Sequence, residues 1–212
     1  MRSALTAPPP LPAFVAPMLA QPGTPFDSDQ HLFEIKWDGT RMLAFVDDDG
    51  HRLVNRHRRD HTEQYPECAF LAQAPAGTIL DGEMVVLHGG LPDFRRLLSC
   101  DQARRPLTIR LLARSLPATY VVFDLLYCRY QSLLIEPLQQ RRARLHQLVH
   151  EIGQPALVLS EGIVGPGILF FRQACQLGLE GVVAKQLGSR YRPGRRTQAW
   201  IKIKAKQVLG RG

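Results

Sequence analysis

Short runs of branched and aromatic residues, the composition typical of β-strands, recur along almost the whole chain. They are HLFEIKW (31–37), TRMLAFVDD (40–48), HRLVNR (51–56), TILDGEMVVL (78–87), ATYVVFDLLY (118–127), PALVLS (155–160), EGVVAKQ (180–186) and AWIKIK (199–204). Turn-forming and polar stretches separate them. A chain patterned in this way must build most of its core from sheets.

Other segments have apolar residues at three- and four-residue spacing, which is typical of helices packed on a sheet. They are DFRRLLSCDQ (93–102), PLQQRRARLHQLVHEI (137–152) and GILFFRQACQLG (167–178), while ARRPLTIRLLARSLP (103–117) fits a short helix or an irregular crossing. The combination predicts an α+β fold of mostly antiparallel sheets with packed helices. Residues 1–25 are rich in proline and predict an extended arm leading onto a domain of residues 26–206.

Charge and cysteine usage narrow the possible partners. The 212 residues contain 27 Lys and Arg against 19 Asp and Glu, and the net charge of +8 favours a nucleic acid, a nucleotide or an anionic membrane. No run approaches the length of about 18 apolar residues that a membrane span needs, and the N-terminus lacks a continuous apolar core. The four cysteines form no C-x-x-C pair, which predicts neither a zinc site nor a disulfide framework and fits a cytoplasmic protein.

The stretch FEIKWDGTR places Lys36 between a strand-like run and the turn signal Asp38-Gly39. Taken alone, this pattern predicts a β-hairpin with Lys36 as a solvated lysine beside its turn. A functional interpretation of Lys36 therefore depends on residues elsewhere in the chain.

Several charged residues lie within the strand-like runs. Asp81 and Glu83 are two residues apart, so on a strand their carboxylates face the same side. Glu180 and Lys185 are five apart and face opposite sides, which predicts separate roles rather than an ion pair between them.

The last strand-like run alternates Trp200, Lys202 and Lys204 with two isoleucines. This pattern fits either an edge strand protected by lysines or an anion-binding face. Asp124 interrupts an apolar run, so we expect it to lie at a strand end or to have a partner.

Together and in this order, these motifs resemble those of the covalent nucleotidyltransferases, namely ATP-dependent DNA ligases, RNA ligases and mRNA capping enzymes. The motifs are K-x-D-G at Lys36 with the following Arg41, D-G-E at Asp81 to Glu83, the pair Phe123-Asp124, E-G-x-x-x-K at Glu180 to Lys185, and the paired lysines Lys202 and Lys204. The phrasings FDLLY, EGVVAK and SRYRPGRRTQAWIKIK are similar to the ligase domains of bacterial end-joining DNA ligases. The likeness runs from about residue 14 to residue 204 and implies an ATP-grasp-like nucleotidyltransferase core.

The resemblance also implies the chemistry. Lys36 would attack the α-phosphorus of ATP to form lysyl-AMP, whose AMP then passes to the 5′-phosphate of nicked double-stranded DNA for sealing in DNA repair and recombination. By the same resemblance, Glu83 and Glu180 hold Mg²⁺ or Mn²⁺, and Lys185, Lys202 and Lys204 contact the phosphates. Phe123 would stack on adenine, Glu34 would recognise the base, and Arg41 and Arg56 would bind the ribose or the DNA 5′-phosphate.

Two features depart from the family pattern. The motif S-R-N-G is replaced by Asn55-Arg56-His57-Arg58, which keeps only the arginine. The chain also ends shortly after Lys204, where the family continues into an OB-fold domain. We expect a monomeric adenylation domain, either excised or naturally minimal, that is completed in trans by an OB-fold domain or by end-joining proteins.

Alternatives remain open at this stage. RNA ligation or capping would use the same core, and a non-catalytic nucleic-acid-binding module without an OB-fold domain would share the sequence motifs. The basic stretches HRLVNRHRRDH (51–61) and SRYRPGRR (189–196) are either DNA-phosphate contacts or solvated loops.

Overall fold

The computed structural model describes residues 9–206, which form two β-sheets with helices on their outer faces. The strands are β1 (Leu19–Pro22), β2 (Ser28–Ile35), β3 (Thr40–Asp47), β4 (Gly50–Asn55), β5 (Thr78–His88), β6 (Leu91–Pro92), β7 (Ala118–Cys128), β8 (Gln131–Ser132), β9 (Leu157–Leu159), β10 (Gly162–Gly165), β11 (Gly181–Gln186) and β12 (Arg196–Lys204). The helices are α1 (Phe94–Gln102), α2 (Pro106–Ser115), α3 (Leu138–Ile152) and α4 (Gly167–Gln176). Two 3-10 segments, Thr62–Gln64 and Pro66–Gln73, follow β4.

The two sheets have different strand orders. The first sheet runs β1-β12-β11-β2-β10, and the second runs β4-β3-β5-β7-β8 with β6 beside β5 and β9 beside β7. Neighbouring strands are antiparallel except for the pairs β1 with β12 and β7 with β9. The predicted α+β class with mostly antiparallel sheets is confirmed, and the ambiguous segment 103–117 contains the helix α2.

Three apolar clusters hold these layers together. One packs α1 and α3 on the outer face of the second sheet, and it includes Met42, Leu97 and Leu145. The second cluster lies between the two sheets, where Leu43 and Phe45 meet Trp200. The third packs α4 on the first sheet. Because alternate residues of β3 belong to the first and second clusters, this strand is buried on both faces.

The predicted hairpin at Asp38-Gly39 is wrong. Strand β2 lies in the first sheet and β3 in the second, so residues 36–39 cross from one sheet to the other. A D-G pair favours a tight turn locally, but it cannot specify whether the following strand pairs with the preceding one.

The proline-rich arm predicted for residues 1–25 is described here only from residue 9 onward. Val15 and Met18 are buried in the cluster between the sheets, and β1 pairs with β12. Residues 15–25 therefore pack on the same core as the rest of the chain.

Within residues 9–206 no helix combines the length and apolar character that a membrane crossing requires. All four cysteines are free thiols. Cys100 and Cys175 lie on α1 and α4, as the helical patterns predict.

Candidate active site

A cavity of about 250 Å³ opens between the two sheets beside Lys36. Its first wall comes from β2, β11 and β12, and its second from β3, β5 and β7. Of the predicted site residues, those lining it are Glu34, Lys36, Arg41, Arg56, Glu83, Phe123, Lys185 and Lys202. Residues far apart in sequence are thus brought to one site.

Lys36 lies directly after β2, where the chain leaves the first sheet. Its backbone N–H donates to the carbonyl oxygen of Gly181 at 2.9 Å, which anchors it to the start of β11. The next residue, Trp37, donates its indole N–H to Ser160 Oγ at 3.2 Å. The main chain on both sides of the lysine is therefore fixed, while its amine reaches the cavity.

Glu180 joins two of the predicted site lysines. Its Oε2 lies 2.6 Å from Lys36 Nζ, and its Oε1 lies 2.6 Å from Lys204 Nζ. Burial alone would raise the pKa of Glu180, but hydrogen bonds from both ammonium groups hold that pKa below its usual value. Glu180 and Lys204 line a neighbouring cavity of about 560 Å³, together with Asp38. The ion pair between Lys36 and Glu180 therefore joins one residue from the lining of each cavity.

The D-G-E motif on β5 supplies two carboxylates with different surroundings. Asp81 is fully buried and accepts from Arg41 Nε at 2.8 Å and from Tyr191 Oη at 2.7 Å. Glu83 lines the cavity, and burial raises its pKa to about 8 although Arg41 and Lys36 oppose this shift. Asp81 therefore orients Arg41, whereas Glu83 presents a carboxyl group to the cavity.

Glu34 and Lys185 form a buried ion pair at one end of the cavity. Lys185 Nζ lies 2.7 Å from Glu34 Oε2, and it also lies 4.1 Å from the centre of the Phe123 ring. Burial lowers the pKa of Lys185, although Glu34 opposes the shift. Lys185 was predicted to contact the phosphates, but it lies beside the two residues predicted to bind the base. Its ion-pair partner is Glu34, whereas Glu180 pairs with Lys36 and Lys204, so Glu180 and Lys185 have separate partners as the strand pattern predicted.

Lys202 and Arg196 supply positive charge on the β12 side of the cavity. Partial burial and the nearby cations Arg196, Lys204 and Lys36 lower the pKa of Lys202. Because β12 lies between β1 and β11, it is not an edge strand, which excludes the interpretation of its lysines as edge protection.

Arg56 lies on the exposed rim of the same cavity. The side-chain oxygen of Asn55 accepts from the backbone N–H groups of His57 and Arg59 at 2.8 and 3.1 Å. The Asn55 side chain therefore holds the turn that presents Arg56, even though this motif departs from the family pattern.

Other residues of the site were missed by sequence reasoning. Trp200 was assigned only to a strand face, but its ring lies 6.2 Å from that of Phe123 and lines the cavity. Tyr191 and Arg142 were not singled out at all. The sequence could have indicated the two arginines of α3. Arg141 and Arg142 lie on the helix face that is otherwise apolar at Leu145 and Leu148, and arginines on such a face need a buried partner.

Arg141 is the partner that the apolar surroundings of Asp124 predicted. Its Nε and Nη2 atoms lie 2.7 and 2.8 Å from the two carboxylate oxygens, and both side chains are fully buried. Asp124 lies inside β7 rather than at its end, so the ion pair with α3 is what allows its burial.

Comparison of the sequence with known proteins points to the DNA ligases, in agreement with the motifs that line the cavity. A family model described as "ATP dependent DNA ligase domain" matches residues 17–204. The SPbeta prophage-derived DNA ligase-like protein LigB of Bacillus subtilis is 33% identical over 192 residues, which cover 90% of this chain and 67% of that protein. The multifunctional non-homologous end joining protein LigD of Pseudomonas aeruginosa is 36% identical over 201 residues, which cover 92% of this chain but only 22% of that protein.

Solved structures show the same likeness. The ligase domain of M. tuberculosis LigD superposes with a TM-score of 0.75 at 37% identity. A mycobacterial DNA ligase D complexed with ATP and MES gives a TM-score of 0.74 at 35% identity. In both comparisons the match covers 90% of this chain and 60% of the solved chain.

Proposed function

This chain belongs to the ATP-dependent DNA ligase family, and from that premise we propose that Lys36 is the residue to which it attaches AMP. The chain is the adenylation domain of a DNA ligase and uses ATP. The AMP is then transferred to the 5′-phosphate of a nick in double-stranded DNA, and the strand is sealed. The adenylation unit comprises residues 26–206 together with the packed residues 15–25.

The observation that carries this proposal is the position of Lys36 at the junction of two kinds of surface. On one side lie Glu34 and Phe123, which suit a nucleobase. On the other side lie Lys202 and Arg196, which suit phosphates. A nucleoside triphosphate spanning both surfaces brings its phosphates to the amine of Lys36.

The attack forms a bond from Lys36 Nζ to the α-phosphorus and breaks the bond from that phosphorus to the pyrophosphate oxygen. The amine attacks as the neutral base, so its proton must leave before the bond forms. Glu180 orients the amine through its 2.6 Å contact. Lys202 and Arg196 stabilise the negative charge that develops on the departing pyrophosphate.

Glu83 and Glu180 fit a divalent cation. Among the described residues, no group of three or more His, Cys, Asp or Glu side chains is arranged to hold a metal ion by itself, but Mg²⁺ commonly uses one or two carboxylates together with substrate phosphates. Glu83 is a carboxyl group on the cavity wall whose charge is disfavoured by burial, so a cation there would stabilise its ionised form. When bound, Mg²⁺ would neutralise charge on the phosphate oxygens.

The biological setting follows from the relatives. Several curated relatives are multifunctional end-joining proteins named LigD, and this chain spans 22% to 24% of their length. We infer that the chain acts in the cytoplasm on nicks left by end joining, with end-joining proteins or an OB-fold domain as partners. Membership in the DNA ligase family favours DNA ligation over RNA ligation, mRNA capping or a non-catalytic binding module.

The test is labelling with α-labelled ATP and Mg²⁺, followed by intact-mass measurement. We expect an acid-labile, base-stable adduct carrying one AMP, which Lys36→Ala abolishes. Lys206→Ala is the matched control, because Lys206 is an exposed lysine that does not line the cavity beside Lys36 and reaches only the border of the neighbouring one. Full labelling of the Lys36→Ala variant would show that another group carries the AMP.

A further inference from the structure

Arg142 connects three separate elements behind the nucleotide cavity. It lies on α3, and its Nη1 donates to Glu34 Oε1 on β2 at 2.6 Å. Its Nη2 donates to the carbonyl oxygen of Ser160, after β9, at 2.8 Å. A longer contact of 3.4 Å joins Nη1 to the carbonyl oxygen of Phe123 on β7. One guanidinium therefore fixes the relative positions of a carboxylate and two stretches of main chain.

Arg142 and Lys185 each engage one carboxylate oxygen of Glu34. Oε1 is engaged by Arg142, while Oε2 accepts from Lys185 at 2.7 Å and from Ser160 Oγ at 3.5 Å. The Glu34 side chain is 2% exposed, and that of Arg142 is 12% exposed. With two cations holding it, the carboxylate keeps a single orientation toward the cavity.

We propose that Arg142 is a positioning residue for nucleobase selection, which holds the Glu34 carboxylate so that it accepts a hydrogen bond from an exocyclic amine at the 6-position of a purine. This inference rests on the proposed function, because it requires the base to lie beside Glu34 and Phe123. Arg142 does not touch the base itself.

The selection follows from hydrogen-bonding capacity. An ionised carboxylate only accepts hydrogen bonds, so it pairs with the 6-amino group of adenine and is opposed by the 6-oxo group of guanine. Arg142 supplies a rigid planar fork that binds a carboxylate and two carbonyl oxygens in fixed directions, a geometry that the compact ammonium of a lysine does not reproduce. Loss of the fork leaves Glu34 anchored by Lys185 and Ser160 alone, free to rotate away from the amine.

The experiment measures kcat/KM for self-labelling by ATP, by GTP and by purine riboside 5′-triphosphate, which lacks the 6-amino group. The variants are Arg142→Gln and Arg142→Lys. Arg144→Gln is the control, because Arg144 lies on the same helix but is half-exposed and pairs with Glu136. Thermal unfolding of each variant monitors the fold.

For Arg142→Gln we expect kcat/KM for ATP to fall about 10- to 100-fold, the range for a lost hydrogen bond to a charged group. For purine riboside triphosphate we expect a change of less than about threefold, because that nucleotide never makes the affected bond. The preference for ATP over both analogues therefore shrinks. Arg142→Lys should lower kcat/KM for ATP by a smaller factor, again without a matching loss for purine riboside triphosphate. If Arg142→Gln does not fold, the result with Arg142→Lys tests the role of Arg142 in base selection.

Equal losses with ATP and purine riboside triphosphate would show that Arg142 only supports the fold, and they would overturn the inference. So would an unchanged preference in both variants, or a wild-type chain labelled equally well by ATP and the analogue. Those outcomes leave labelling at Lys36 intact and so leave the proposed function standing. A wild-type chain that takes label from no nucleotide would overturn both.

Discussion

Asp81 and Glu83 show how two carboxylates on one strand acquire different properties. Asp81 is paired with Arg41 and Tyr191 in the interior, so its charge is compensated. Glu83 faces the cavity, and burial raises its pKa to about 8. The first is suited to holding the structure and the second to meeting a cation.

Replacing these two residues should therefore affect different measurements. Glu83→Gln should slow lysyl-AMP formation by about 100-fold or more, because the cation loses a charged ligand, without lowering the free energy of unfolding. Asp81→Asn should lower the free energy of unfolding by about 3–5 kcal/mol, because Arg41 is left without its buried partner. Labelling kinetics and urea denaturation separate the two effects. Unchanged labelling of Glu83→Gln would remove Glu83 from the metal site.

Asp101 carries a separate polar cluster at the start of β3. It accepts from Thr40 Oγ1 at 2.6 Å and from Tyr65 Oη at 2.5 Å, and His61 Nδ1 lies 3.4 Å away. Burial alone would raise the pKa of Asp101, but the nearby His61 and the hydrogen bonds from Thr40 and Tyr65 hold the pKa below its usual value. Thr40 directly follows the K-x-D-G motif, so this cluster fixes the end of the crossing segment.

The lowered pKa predicts how Asp101 contributes to stability at different pH values. The folded state releases the proton more readily than the unfolded state, so the stabilisation is present above the usual pKa and is lost as pH falls through the folded-state pKa. Asp101→Asn should cost about 1–3 kcal/mol at neutral pH, and much less near pH 3. Urea denaturation at both pH values measures this, with the exposed Asp49→Asn as control. A cost that does not change with pH would contradict the assignment.

At the scale of secondary-structure elements, the segment of residues 36–39 matters most because it connects the two sheets. Lys36 is held at its start by the bond to Gly181, and β3 begins immediately after its end. Gly39 passes so close to β5 that a Cβ atom there would overlap the carbonyl oxygen of Met84. The glycine of the K-x-D-G motif is therefore required by a close approach of two backbones.

Gly39→Ala should accordingly disturb both the fold and the reaction. We expect the free energy of unfolding to fall by about 1–3 kcal/mol because β3 or β5 must shift. The labelling rate should fall by about tenfold or more because the shift displaces Lys36. Gly188→Ala is the control, since its added Cβ would meet no atom within 4 Å. Normal labelling by Gly39→Ala would show that the crossing tolerates displacement.

At the scale of the whole molecule, lysine and arginine are used differently. The lysines of the chain are Lys36, Lys185, Lys202, Lys204 and Lys206, and the other basic residues that produce the net charge of +8 are arginines. All but the last of these lysines belong to the candidate active site. The basic surface around the site, including the turn at Arg56 on its rim, is therefore built from arginine, which suits bidentate phosphate contacts.

This surface predicts electrostatic binding to nicked DNA. We expect the dissociation constant to rise steeply with salt, because each phosphate contact releases counterions. Arg56→Gln and Arg59→Gln should each reduce the slope of log K against log salt by about one. Arg114→Gln is the control, because Arg114 is exposed on α2 on the helical side of the second sheet. Fluorescence anisotropy at several salt concentrations measures the slopes, and equal slopes for all variants would contradict this interface.

The sequence by itself determined the longer strand and helix segments, the α+β class and the motifs that resemble a nucleotidyltransferase, but it missed the short strands β1 and β10 and the 3-10 segments after β4. It could do so because these features are local. The period of apolar residues marks a helix or a strand, and short motifs such as that of Lys36 keep their spacing whatever surrounds them. The roles assigned to the individual site residues remain predictions that the labelling experiments test.

Only the tertiary structure decided which of these local features meet. Glu34 and Lys185 are 151 positions apart, yet they form one buried pair, and Asp124 finds its partner on α3. The D-G pair after Lys36 leads into a second sheet instead of a hairpin. The physical reason is that periodicity tells which face of an element is buried but not what covers that face. That choice depends on the packing of all the layers together, and it brings Arg142 to Glu34.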